Sequence, residues 1–232
     1  MISPQEAAKT KALKERLAAF QETTEAAKKE IMPELLEFFV TLGMEGERSS
    51  VVLGAERINV ALEALIKSSL QPSLNKTDAL FTSDGALASF SRKIEMAYRL
   101  GLIDLPFKQA LDLVRKLRND FAHAIKVESL QQDSHADRVK ALSKLVIKGN
   151  EKAIEGFTLA YQKAAQEAQV QEPPEKVRAY LNCVMLLLLK LELTRHHAQR
   201  PDVLLPAKIN YKEYGTKLTG KFLPPLQGLK TF

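Results

Sequence analysis

EKVRAYLNCVMLLLLKLELTRHHAQ, Glu175 to Gln199, is the stretch from which the fold is read. Its centre, around Val184 to Leu189, is apolar on every side. A helix with no polar face has to be buried among other elements. The apolar run is also far too short for a bilayer, which takes about 20 residues. The expectation is therefore a buried helix within a helical bundle.

The rest of the chain supplies the other helices. One is expected to begin near Pro4 and to carry Leu13, Leu17 and Phe20, with Pro33 marking a break or kink before LLEFFVTLG. Gly43 and Gly46 suggest a turn, and Ser49 or Ser50 a cap for VVLGAERINVALEALIKSSL, whose apolar positions recur at helical spacing. A loop follows over residues 71–85, rich in Pro, Ser, Asn, Thr and Asp. ALASFSRKIEMAYRLGLI predicts a helix closed by Gly101, with Leu102 and Ile103 turning inward behind it. Asp104 and Pro106 open the next helix. ESLQQDSHAD reads as a polar linker, and LVIKGNEKAIEGFTLAYQKAAQ as part of one long helical pattern. No stretch alternates as a strand does. The fold class is all-α, a helical bundle. Its expected organisation is an N-terminal helical segment over 1–45, a core over 46–128, helices completing the bundle over 129–199, and a basic, proline-containing tail over 200–232.

Composition sets the outer bounds. Among 232 residues, 45% are hydrophobic and 27% charged, as in ordinary globular proteins. A lone cysteine, Cys183, rules out an internal disulfide and suits a reducing compartment. It sits among Leu and Val and is expected to be packed rather than reactive. Four histidines and one cysteine form no metal-ligand spacing, so neither a metal nor another cofactor is expected. The N-terminus lacks the apolar region of a signal peptide, and a cytoplasmic protein with no membrane association is expected. His196 and His197, near a helix end, are expected to complement the helix dipole.

The net charge of +6 permits a nucleic-acid partner without requiring one. From Arg200 onward, six basic residues stand against Asp202 and Glu213, so the tail holds +4 of that charge. Lys208, Lys212, Lys217 and Lys221 are the candidate nucleic-acid contacts.

One helix breaks its own pattern. In VRKLRNDFAHAI, Val114 to Ile125, a helical wheel puts Leu113, Val114, Leu117, Phe121 and Ile125 on one face. Asp112, Arg115, Lys116, Asn119 and His123 share the other. Asn119 and His123 are four apart and so neighbours. Arg118 falls about 60° from the middle of the apolar stripe, where a hydrophobe is expected. Glu56 and Glu63 are candidate partners for its charge, since an unpaired buried charge costs several kcal/mol.

GERSSVVLGAERINVALEALIKSSL, then ALASFSRKIEMAYRLGLI, then LVRKLRNDFAH, in that order, resemble the mannitol operon repressor (MltR) family over about Gly46 to His123. The resemblance implies an all-helical domain and a role in transcriptional regulation. With no recognisable helix-turn-helix, such a regulator is expected to act through a protein partner. The hexapeptide RNDFAH is also similar to the R-polar-x-x-x-H signature of HEPN domains, many of which are metal-independent endoribonucleases. Arg118, Asn119 and His123 match its three positions. That resemblance implies a homodimer whose two motif helices face each other, RNA as substrate, and a toxin or defence role with an antitoxin partner. In such a site His123 would take a proton from a ribose 2′-hydroxyl, Arg118 would hold the scissile phosphate, and Asn119 would orient the imidazole or a phosphate oxygen. Asp120 would support the arginine or repel the phosphate.

Overall fold

The computed structural model describes residues 4–124, 129–169 and 172–198. Seven helices occupy them: α1 (Pro4–Met44), α2 (Glu47–Ser69), α3 (Phe90–Arg99), α4 (Leu105–His123), α5 (Asp133–Ile147), α6 (Glu151–Glu167) and α7 (Glu175–Ala198). There is no strand among the described residues, and the chain is all-α. None of these helices is long and apolar enough to cross a membrane.

α7 is the centre. Its residues from Cys183 to Leu189 are all buried, whichever way they face, because α2, α1, α5 and α6 all pack against it. Two features bring α2 close. Gly54 has no side chain, and a β-carbon there would already touch Leu42 and Val184 at 3.4 Å. The Tyr180 hydroxyl, on a side chain with no exposure, donates to the Val51 carbonyl at 3.1 Å, so its burial leaves no unmet hydrogen bond. A single core joins Leu35, Phe39 and Leu42 of α1 to α2, α4, α5 and α7. It therefore runs across the divisions expected at 45/46 and 128/129.

The structure corrects four local expectations. Of the break or kink expected at Pro33, the break is absent, and the first helix is continuous for 41 residues. Ala27 before the proline and Leu35, Phe39 and Leu42 after it are all buried in the one core, and packing on both sides offsets the roughly 3 kcal/mol that an interior proline costs. Gly46, not a serine, occupies the N-cap of α2. Ser50 lies a turn inside, where its hydroxyl donates to the Leu42 carbonyl at 2.8 Å. The long pattern after the linker is two helices, split where Gly149 takes φ +80, a left-handed conformation that favours glycine. Finally, the linker is half helix, since α5 starts at Asp133.

The approach to α4 is as expected. α3 ends in a Schellman motif, with Leu102 N–H on the Ala97 carbonyl and Gly101 N–H on the Tyr98 carbonyl, both 3.0 Å, and Gly101 at φ +70. Ile103 is buried behind it. Asp104 then caps α4 by accepting from Phe107 N–H at 2.9 Å.

Candidate functional site

α4 turns Ala110, Leu111, Val114, Leu117 and Phe121 into the core. Leu113 is only partly buried. That narrow stripe sets where the other side chains go. Arg118 is not driven inside: its side chain is 36% exposed, and the guanidinium reaches the solvent edge of the α2–α4 interface. There Nη1 donates to Asn119 Oδ1 at 3.2 Å, and Nη2 stands 3.9 Å from Glu56 Oε2. Glu56 is thus the expected partner. Glu63 is not, because it is occupied by Lys67 and Lys93, each 2.6 Å away.

Asn119 is partly buried, and His123, in the last turn, is exposed. Arg48 of α2 donates to the Ala122 carbonyl at 3.2 Å and so ties down this helix end. A shallow polar cleft of about 380 Å³ opens beside Arg118, with Glu56, Asn59, Ser89, Arg115 and Asn119 in its wall. His123 lies outside that wall. In one chain, then, Arg118 and Asn119 share a cleft and a hydrogen bond, while His123 stands apart at the helix terminus.

Asp120 points away from this group. Its carboxylate accepts from Arg138 Nη1, and His135 Nε2 lies 3.4 Å from Oδ2. His135 is buried, its Nδ1 is 3.1 Å from the Ser129 carbonyl, and its ring packs on Phe121 at 5.2 Å. Asp120 therefore neither supports Arg118 nor faces its cleft. It joins α4 to α5. Sequence reasoning missed Arg138 and His135 because they fall in and just past the stretch read as a linker. It missed Lys93 as well, a buried lysine on α3 whose amino group meets Glu63.

Burial bears on two other expectations. Cys183 is buried, with its thiol pushed up to about 11 by that burial, and its sulfur is 3.6 Å from Ser143 Oγ. It is packed, and burial favours the protonated thiol over the reactive thiolate. His196 and His197 both lie in the last turn of α7, as expected, and His197 is also a packed side chain. It is buried, stacked on Phe20 at 4.4 Å, and burial together with neighbouring His196 lowers its pKa, which favours the neutral ring. Among the described residues no group of three or more His, Cys, Asp or Glu side chains is placed to hold a metal. Lys208, Lys212, Lys217 and Lys221 lie outside the described residues.

The fold and this cleft define an all-helical protein with a polar, mixed-charge patch at the end of one core helix. No family model matches the chain, and no curated protein or solved structure does either.

Proposed function

We propose that this chain is a regulatory protein of the mannitol operon repressor kind, acting on transcription as a homodimer that binds a protein partner through the polar end of α4. One observation carries the reading: Arg118 is already engaged by Glu56 and Asn119 in a cleft that excludes His123. A phosphate approaching that guanidinium competes with a carboxylate. A protein surface offering both signs of charge does not, and matched charges at a rim set orientation and encounter rate.

The exposure of His123, one turn beyond Asn119, favours a second reading as a metal-independent endoribonuclease. There, a second copy would complete the site. His123 would accept the 2′-hydroxyl proton as the 2′-oxygen bonds to phosphorus, and the P–O5′ bond would break with a proton delivered to the leaving oxygen. Incubating the purified protein with labelled RNA in excess EDTA separates the two. The regulator reading predicts intact RNA with wild type, Arg118→Ala and His123→Ala alike. Cleavage by wild type that both variants lose, while circular dichroism shows them folded, would replace it with the nuclease reading.

A further inference from the structure

A cavity of about 970 Å³ lies where α1, α4, α5 and α7 meet, well away from the Arg118 cleft. That size is typical of small-molecule sites, roughly 300–1,000 Å³. Its walls are largely apolar, with Phe20 from α1, Phe107 and Ala110 from α4, Leu145 from α5, and Leu187 and Leu191 from α7. Three lysines join them: Lys144 and Lys148, one turn apart at the end of α5, and Lys190 of α7. None of the three has an ion-pair partner among the described residues. Among the described residues Asp104 is the only carboxylate in the wall, and it is committed to capping α4 through the Phe107 N–H.

His197 forms a fixed part of the wall. The Thr24 hydroxyl donates to the Phe20 carbonyl at 2.7 Å, so it accepts from His197 Nε2, 3.0 Å away. The ring is held by that bond and by its stacking on Phe20. The lysines are the cationic side chains of an otherwise largely apolar wall. Such a site selects a ligand with an apolar chain and a single anionic head. A compact polar anion would leave the apolar wall uncovered, and a neutral lipid would leave the lysines unanswered.

We infer that this cavity binds an aliphatic carboxylate, its chain against Phe107, Leu187 and Leu191 and its head among Lys144, Lys148 and Lys190. The inference stands independently of what the α4 patch does. It is tested by titrating decanoate, below micelle formation, into the full chain by calorimetry, with decan-1-ol as the neutral control. Two variants accompany wild type: Lys144→Gln/Lys190→Gln, and Ala141→Trp, which fills the cavity from an exposed position that the core does not need. Wild type should bind one decanoate per chain saturably, Ala141→Trp should lose it, and the double variant should bind about tenfold more weakly, as expected for two partly exposed charge pairs. Absence of saturable binding, equal binding of decan-1-ol, or indifference to the lysine changes would each overturn the inference. So would a wild-type dimer that Ala141→Trp converts to monomer with no decanoate bound by either, which would give the cavity to a second copy of the chain.

Discussion

Lys93 is the residue at which charge and burial conflict most. It is 4% exposed, and its amino group is answered by Glu63, which also takes Lys67. Removing that carboxylate leaves a buried cation without an anionic partner. Breaking a buried pair costs about 3–5 kcal/mol, and the partial exposure of Glu63 reduces this to about 2. Glu63→Gln should therefore lower the unfolding free energy by about 2 kcal/mol in a urea titration. Burial alone would raise the Glu63 carboxyl, but the hydrogen bonds and charges of Lys67 and Lys93 outweigh it and hold the group below its ordinary 4.5. A carboxyl depressed on folding contributes stability that is present above pH 4.5 and is lost as pH falls through its lower folded value. Wild type should show this acid limb in melting temperature against pH, and Glu63→Gln should show less of it. Arg118 is the opposite case. Its exposed, 3.9 Å pairing with Glu56 is of the kind worth about 0–1 kcal/mol. Arg118→Ala should hardly move the melting temperature, and a large drop would mean the group is structural after all.

At the scale of elements, the contact of α1 with α6 is set by a glycine. A β-carbon at Gly43 would lie 2.0 Å from the Tyr161 hydroxyl and 3.2 Å from the ring carbon bearing it. That hydroxyl is buried without a hydrogen-bond partner. Gly43→Ala should then cost about 1–3 kcal/mol, the usual range for overpacking. Tyr161→Phe should cost little, because it removes a buried polar atom that has no partner. In the double variant the phenylalanine should recover part of the Gly43→Ala loss. Additive costs in chemical denaturation would disprove the contact. Elements also show what the sequence made readable. Helix existence, the Gly101 terminus and the Asp104 cap all follow from local chemistry, with each residue doing what its own backbone conformation requires. Pro33 and the start of α5 do not follow. Their outcome depends on packing of residues distant in sequence, and no local rule contains that information. The candidate site was half readable. The pattern offered Glu56 and Glu63 for Arg118, of which Glu56 is the one that meets it. It grouped Asn119 with His123, which lies outside the cleft. The link from Asp120 to Arg138 and His135 needed the α4–α5 crossing.

The described helices form one core round α7, and two of its surfaces bear on function. One is the cationic, apolar-walled cavity among α1, α4, α5 and α7. The other is the patch where α2 and α4 present Glu56, Arg118 and Asn119, with His123 beyond. Helix α4 contributes to both, Phe107 near its start and Arg118 near its end, about 16 Å apart along the axis at 1.5 Å per residue. On the proposed reading the patch recognises a partner and controls transcription without cutting RNA. Pulse-labelled RNA from cells expressing wild type or Arg118→Ala tests that claim most directly, because it measures synthesis and decay of each transcript separately. The account predicts that wild type changes the synthesis rate of a limited set of transcripts, leaves their half-lives unaltered, and that Arg118→Ala abolishes the change. Shortened half-lives with unchanged synthesis, lost in Arg118→Ala, would contradict it.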